Sequence, residues 1–261
     1  MDRGTFLGFL LGIGLLAFAI FEGGNAQSFL HAKSIIVVVG GIVASTFIRF
    51  PFSNVISSFA VASRAFFTRP QNHQDLVTLL VGLSMRAKRE GLLALENHMP
   101  SNKFLAMGLN LVVDYVEVDR VKDILNAEIQ ATLDRHSLGQ ETFRFIAQAA
   151  PSFGMVGTLI GMVQLFASTD DPRKLAAAMA LSLLSTLWGA VIAYLFALPI
   201  AGKLEIRSRE EAQNKVLMLE GILGIQSEMH PARLEEHLNA FLAPSQKVKR
   251  SLSPAKGGFG A

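Results

Sequence analysis

The sequence predicts an all-α fold, a polytopic membrane protein with four transmembrane helices and a helical cytoplasmic domain. The composition is the first observation, because 51% of the 261 residues are hydrophobic and 17% are charged, which is more apolar than an average soluble domain. The second is a set of four apolar runs with lengths that suit membrane helices. The third is helical spacing of apolar residues between the runs, with no strand pattern of comparable strength.

The first two runs extend from Thr5 to Phe21 and from Ser34 to Ile48. They are shorter than the other two and also suit a signal peptide or buried core segments. A short link joins them, and no small-residue cleavage pattern follows the first run. We therefore expect a retained transmembrane hairpin over residues 1–50.

The last two runs extend from Phe145 to Ala167 and from Leu175 to Ala201, each long enough to cross about 30 Å of hydrocarbon. Between them lies the sequence Asp170-Asp171-Pro172. An acidic N-cap followed by proline at the first helical position predicts a helix start there. The short turn makes the third and fourth helices antiparallel neighbours, and we assign them to residues 145–202.

The segment between the second and third runs, residues 51–144, predicts a cytoplasmic helical domain. Leucines recur at helical spacing before a break at Pro100, Ser101 and Asn102, and a second helix is expected from Lys103 to Arg135. After the fourth run, helical spacing continues from Lys203 to Ile225, which predicts a C-terminal helical region over 203–243. Residues 244–261 are basic and rich in Ser, Pro and Gly, and are expected to be a disordered tail.

The charges predict the orientation and exclude several functions. Only Lys33, Arg173 and Lys174 of the 24 Lys and Arg residues lie in the expected outer loops, so both termini should be cytoplasmic. Charges in the large loop nearly balance, which argues against a nucleic-acid surface. The absence of cysteine excludes disulfides, and the scattered histidines make a metal site improbable. The glycines near Thr158 fit neither a dinucleotide fingerprint nor a phosphate loop, so no enzyme activity or cofactor is expected.

Two threonines are expected to share one depth in the membrane. Thr158 and Thr186 lie ten and eleven residues from the outer ends of the third and fourth helices, which places both hydroxyls roughly 15 Å below the outer surface. Small residues surround them and allow close approach of the two backbones; these are Gly154, Gly157 and Gly161 on one helix and Ser182, Ser185, Gly189 and Ala193 on the other.

Two interpretations of these threonines stay open. In the first, they and the small residues only pack two helices together. In the second, their hydroxyl oxygens line an ion path, with Ser185 and the three glycines beside it. A cation path needs a fixed negative charge, and residues 34–48, 145–167 and 175–201 contain neither Asp nor Glu. If ions cross here, another chain must supply the carboxylate.

The chain resembles the flagellar stator A subunits, MotA and PomA, within the MotA/TolQ/ExbB superfamily of ion-driven membrane motors. The likeness spans most of the chain and rests on five stretches taken together. They are "SIIVVVGGIVASTF" at 34–47, "RAKREGLLALE" at 86–96, "APSFGMVGTLIGMVQLF" at 149–165, the "DDP" turn at 170–172 and "LLSTLWGAVIAYLFALPIAGKL" at 183–204.

The resemblance implies a machine with several chains in the bacterial inner membrane. Five copies would surround two copies of a B subunit of the MotB/PomB type, whose transmembrane aspartate would bind the coupling ion. Transport of Na+ or H+ would turn the ring and push the rotor protein FliG. Hydroxyls on both helices favour sodium, which needs several oxygen ligands, although threonine also occurs in relatives that use protons.

The resemblance also assigns residues by position. Lys88, Arg89 and Glu96 match the charges that contact the rotor, and the spacing predicts that they share one exposed face of a helix. Pro151 and Pro199 match paired prolines near the inner ends of the last two membrane helices, where they would act as hinges. Two other functions stay open, a TolQ/ExbB-type energiser of outer-membrane processes and a membrane scaffold that conducts no ions.

Overall fold

The computed structural model describes residues 3–22, 24, 26–67, 72–167 and 170–242. The expected tail at 244–261 lies outside these residues. Within them the regular structure is helical, as the sequence predicts. The α-helices are α1 Arg3–Glu22, α2 Ala32–Arg49, α3 Phe52–Phe67, α4 His73–Glu90, α5 Lys103–Val113, α6 Val118–Phe166, α7 Pro172–Val191, α8 Leu198–Gln226 and α9 Pro231–Ala240, with 3₁₀ turns at Ala26–Phe29 and Leu92–His98 and a π-helix at Ile192–Ala197.

Four helical segments are long and apolar enough to cross a membrane, and each coincides with one of the four predicted runs, the third of which extends one residue beyond its segment. They are Gly4–Glu22, Ala26–Arg49, Val118–Phe166 and Pro172–Gln226. The predicted start of the fourth helix is confirmed, because Asp171 is the N-cap of α7 and its carboxylate accepts hydrogen bonds from the backbone N–H groups of Arg173 and Lys174. A carboxylate at this position satisfies amides that have no partner inside the helix.

The chain divides into two compact units, which we call the membrane unit and the cytoplasmic unit. The membrane unit comprises residues 1–69 and 135–207, and the cytoplasmic unit comprises residues 70–134 and 208–261. The domain boundaries predicted near residues 50, 144 and 202 follow the ends of the apolar runs, whereas the two units are defined by contacts within the fold. Those boundaries stay a prediction.

The single helix expected from Lys103 to Arg135 is wrong. Helix α5 ends at Val113, and α6 begins at Val118 and then continues without interruption into the third membrane segment. Tyr115 adopts a positive φ of 55°, and the N–H of Val116 donates to the carbonyl of Leu111. A left-handed residue followed by this 6→1 hydrogen bond is the Schellman ending of a helix.

The membrane unit packs through small side chains. Helices α2 and α7 are neighbours, and Ala150 and Ala193 are buried against Val38 and Ile42 of α2. On α1 the large apolar side chains Leu15 and Phe18 are 68% and 65% exposed, as expected for a helix that contacts lipid. The indole of Trp188 donates to the carbonyl of Phe29, which fixes the link after α1 to the fourth membrane segment.

The cytoplasmic unit has a conventional apolar core, to which helices α4, α5, α6, α8 and α9 and the 3₁₀ turn Leu92–His98 contribute buried residues. Leu80, Leu105, Leu109, Leu125 and Ile222 are fully buried in it. Burial of such side chains is the main favourable contribution to folding in water. The helical spacing that predicted a packed cytoplasmic domain is therefore confirmed by the core.

A π-helix interrupts the fourth membrane segment at Ile192–Ala197, one residue before α8 begins and two before Pro199. Proline lacks an N–H, and in a regular α-helix its ring collides with the carbonyl four residues earlier, here that of Leu195. In the wider π-helical turn the backbone hydrogen bonds join residues five apart: the N–H of Leu198 donates to the carbonyl of Ala193. π-helical turns are rare and frequently occur at functional sites.

Candidate ion path

Glycines bring α6 and the fourth membrane segment into backbone contact. A Cβ added at Gly189 would lie 2.6 Å from the carbonyl oxygen of Ala150, and one at Gly161 would lie 2.7 Å from that of Ala178. A Cβ at Gly154 would lie 3.1 Å from the carbonyl oxygen of Ser185. Gly157 likewise packs against the side chain of Ser185. The predicted role of these small residues in close helix packing is thus confirmed.

This close approach places Thr158 and Thr186 side by side, as their predicted depth requires. Their hydroxyl oxygens are 2.5 Å apart. The Thr158 hydroxyl also lies 3.1 Å from the carbonyl oxygens of both Gly154 and Ser182, and the Thr186 hydroxyl lies 3.5 Å from that of Ser182. Two hydroxyl and two carbonyl oxygens therefore form one cluster.

The cluster lies at an open face of the chain. Thr158 is half-buried and Thr186 is exposed, although both lie well inside apolar segments. A hydroxyl exposed in hydrocarbon finds no water partner, so such groups normally face a protein surface or a hydrated cavity. The exposed side of Thr186 therefore indicates a face that another protein chain covers.

Ser182 is expected from the sequence only on the packing face and not in the ion path, yet the structure connects it directly to Thr158. The Ser182 hydroxyl donates to the carbonyl of Thr158 over 3.1 Å, while its own carbonyl faces both threonine hydroxyls. A signal was available, because Ser182 precedes Thr186 by four residues and therefore shares its helix face.

Ser185, which the sequence analysis placed beside the ion path, makes different contacts. It is fully buried, and its hydroxyl donates to the carbonyl of Leu181 over 2.6 Å. The same carbonyl accepts a hydrogen bond from Ser34 of α2, and Ser34 in turn bonds the ring of His31. Ser185 thus belongs to a group of polar contacts between the second and fourth membrane segments.

The two prolines differ in their surroundings. Pro151 lies inside α6, and the residue before it, Ala150, contacts both Gly189 and the cluster around Ala193. Pro199 lies in the first turn of α8, directly after the π-helix. The region of irregular backbone in the fourth segment is therefore the turn before Pro199, and the hinge role of both prolines stays a prediction.

The three predicted rotor-contact residues are all exposed, but they do not share a helix. Lys88 and Arg89 occupy the last turn of α4, which ends at Glu90. Gly91 adopts a positive φ of 86°, and Glu96 lies in the 3₁₀ turn that follows. The expectation of one continuous helical face through Glu96 is wrong, because a backbone with this φ cannot continue the helix.

The same part of the cytoplasmic unit carries an open groove of about 670 Å³. Helix α4 forms one side and the end of the 3₁₀ turn forms the other, with Asp75, Gly82, Arg86 and His98 among its lining residues. Among the described residues no cluster of three or more His, Asp or Glu side chains could hold a metal ion.

Comparisons with known proteins decide the family. Residues 96–216 match the model of the MotA/TolQ/ExbB proton channel family. Chemotaxis protein PomA of Vibrio alginolyticus is 34% identical over 248 residues, which cover 95% of this chain and 98% of that protein. The chain belongs to the MotA/PomA family of flagellar stator subunits.

Other members of the MotA/PomA family match over similar lengths. Motility protein A of Treponema pallidum is 31% identical over 258 residues, which cover 98% of this chain and all (100%) of that protein. A chain of the flagellar MotAB stator complex from Bacillus subtilis superimposes with a TM-score of 0.84 at 26% identity, covering 94% of this chain and 98% of that one. The family resemblance found in the sequence is therefore confirmed, as is the all-helical membrane fold.

Proposed function

We propose that this chain is the A subunit of a stator that couples Na+ flow across the bacterial inner membrane to rotation of the flagellum. The observation that most directly supports this proposal is the oxygen cluster at Thr158 and Thr186, which is partly exposed on one face of the membrane unit. Hydroxyl and carbonyl oxygens are ligands for a hard cation such as sodium. The apolar segments around the cluster contribute no carboxylate.

A partner chain supplies the missing anion in this proposal. An ion in a low-dielectric site is costly without a countercharge. The B subunit of a MotAB-type complex would bring a transmembrane aspartate to the exposed side of Thr186, and five copies of this chain would surround two B subunits. Both termini would then be cytoplasmic, in agreement with the placement of Lys and Arg.

Lys88, Arg89 and Glu96 form the rotor contact in this proposal. They are exposed at the end of α4 and in the turn after it. Exposed charges contribute about 0–1 kcal/mol to folding, so stability alone does not require them. Their recognition of FliG would depend on both signs of charge and would weaken as the salt concentration rises.

Sodium is favoured over the proton because of the number of oxygens. A proton needs one titratable group, which the partner's carboxylate would provide alone. The cluster adds two hydroxyl oxygens and the two carbonyl oxygens that they contact, and a dehydrated sodium ion needs several such oxygen ligands. Each ion crossing 100 mV releases about 2.3 kcal/mol, whichever ion is carried.

The test replaces sodium by potassium while the membrane potential is held constant. The chain is produced with its own B subunit in a flagellated strain that lacks stators and does not swim, and the restored swimming speed is measured. We expect swimming to stop without sodium, and the double substitution Thr158→Ala with Thr186→Ala to abolish it at any sodium concentration. Thr46→Ala is the matched control, because its hydroxyl bonds the carbonyl of Ile42 within α2.

Each alternative has a distinct outcome in this experiment. Swimming that continues unchanged in potassium would exclude sodium coupling and favour protons. A double threonine variant that swims normally would leave the cluster with a packing role alone. The same chain is also produced in a strain that lacks TolQ and ExbB: restored outer-membrane processes without restored motility would indicate a TolQ/ExbB-type energiser, and restoration of neither would indicate a scaffold.

A further inference from the structure

Ser182 makes two reciprocal hydrogen bonds across the helix interface beside the ion path. Its hydroxyl donates to the carbonyl of Thr158, and its carbonyl accepts from the hydroxyl of Thr158, each over 3.1 Å. We propose that Ser182 is a positioning residue that sets the affinity of the path for its cation by holding Thr158 in place. This inference rests on the proposed function of the threonine cluster.

The hydroxyl protons explain why Thr158 must be held. A threonine oxygen carries one proton and two lone pairs, and only a lone pair can face a cation. When one threonine donates to the other across 2.5 Å, the accepting hydroxyl uses a lone pair that a cation would otherwise contact. The cluster binds a cation best when both protons point to carbonyl oxygens instead.

The structure provides one carbonyl for each proton. Thr158 can donate to Gly154 over 3.1 Å, and Thr186 can donate to Ser182 over 3.5 Å. In that arrangement neither hydroxyl oxygen uses a lone pair on the other threonine. One cation can contact both oxygens only while they stay side by side, and the Ser182 hydroxyl, which donates to the Thr158 carbonyl across the two helices, holds them there.

Two further observations support the role of the Ser182 side chain. Ser182 is only 7% exposed, so water does not compete for its hydrogen bond. One turn from Thr158, the absence of a side chain at Gly161 permits the contact, because a Cβ there would lie 2.8 Å from the amide nitrogen of Ser182.

The experiment compares Ser182→Ala with Ser45→Ala in the complete complex with the B subunit. Both substitutions remove a hydroxyl from a membrane helix, but that of Ser45 bonds the carbonyl of Ile42 in its own helix. Swimming speed is measured against sodium concentration at constant membrane potential. For Ser182→Ala we expect the half-saturating sodium concentration to rise about threefold, the size that one interhelical hydrogen bond in a membrane confers, with the maximum speed retained. Ser182→Cys, a weaker donor of similar size, should give an intermediate shift.

Each outcome decides a separate question. An unchanged half-saturating concentration in Ser182→Ala, or an equal change in Ser45→Ala, would overturn the positioning role. Failure of both Ser182 variants to co-purify with the B subunit, or a fall in maximum speed alone, would assign the residue to packing and also overturn it. Independence of the unmodified complex from sodium would contradict the proposed function itself, before any variant is considered.

Discussion

The membrane unit and the cytoplasmic unit are built from opposite kinds of side chain. In the cytoplasmic unit the large residues are inside, and leucines such as Leu105, Leu109 and Leu125 have no exposed surface. In the membrane unit the closest contacts between the third and fourth segments are made by glycine, alanine and serine, while large side chains such as Leu15 and Phe18 are mostly exposed. One chain thus uses both arrangements.

This difference in buried side chains follows from the solvent around each unit. Water drives large apolar side chains together, so the cytoplasmic unit gains stability from burying them. Lipid tails are as apolar as leucine, so helices in the membrane associate through close backbone packing and hydrogen bonds. The consequence for function is that polar groups such as the threonine pair can be placed inside the membrane unit, where helix contacts already depend on small and polar residues.

The largest effect is expected at the closest backbone contact. Gly189→Val would place a branched side chain against the Ala150 carbonyl, where even a Cβ would lie 2.6 Å away. Backbone cannot yield as a flexible side chain can, so the third and fourth segments should separate and the threonine cluster should come apart. We expect no folded complex by size-exclusion chromatography and no motility.

Gly14→Val is the matched control, because a Cβ at Gly14 of α1 meets no atom of the chain within 4 Å. It should leave the yield of the complex near that of the unmodified chain. Equal loss for both substitutions would show that the tight contact is not the cause.

The second effect contrasts leucines of the two units. Leu125→Ala in the cytoplasmic core should lower the free energy of unfolding of that unit by about 2–5 kcal/mol, the range for creating a cavity in a packed core. Hydrogen exchange of the α5 amides measures the loss. Leu15→Ala in α1, where the side chain is 68% exposed, should change stability little, and a large effect there would contradict the comparison.

The third effect concerns the start of α7. Asp171→Ala removes the N-cap that accepts from two backbone amides, which should cost about 1 kcal/mol. Faster hydrogen exchange in the first turn of α7 would report it. Asp170→Ala removes the same charge from the adjacent residue, which is not the N-cap, and should leave hydrogen exchange in the first turn of α7 nearly unchanged. Equal exchange rates in the two variants would show that the charge alone matters.

The smallest effect is expected at the ion pair between Arg144 of α6 and Glu205 of α8, whose charged atoms are 2.5 Å apart. Both side chains are partly exposed, so Arg144→Ala should change stability by no more than about 1 kcal/mol. Thermal unfolding at low and high salt measures this. A larger loss that persists at high salt would mean that this pair acts as a buried pair does.

Much of this architecture could be predicted from the sequence because the strongest constraints are local. Lengths of apolar runs set the membrane segments, and Asp171 before Pro172 sets the start of α7. The equal depth of Thr158 and Thr186 needed only the rise of a helix and a short turn, and the structure confirms it by their hydrogen bond.

The two wrong predictions of helix continuity concern places where apolar residues keep a helical spacing although the backbone leaves the α-helix. Leucines at 92, 93 and 95 maintained a helical pattern beyond Gly91, although a glycine after Lys88 and Arg89 is a signal for a helix end. At Tyr115 no such signal exists, because tyrosine seldom adopts a positive φ and does so here only with the surrounding hydrogen bonds. No signal in the sequence predicts the π-helix either. The carboxylate that the proposed ion path needs could not be located, since residues 34–48, 145–167 and 175–201 contain neither Asp nor Glu.

The π-helix has a consequence for protein engineering. Buried alanines recur every four residues through it, at 193, 197 and 201. A regular α-helix has about 3.6 residues per turn, so this spacing would drift slowly around its surface. A π-helical turn holds about one residue more than an α-helical turn, so deleting one residue between Ile192 and Ala197 should restore ordinary turns and leave the downstream helix faces near their present orientation. The same deletion elsewhere in the fourth segment would rotate everything downstream by about 100°. In chimaeras of related stators, a difference of one residue in this segment should therefore be placed within this turn.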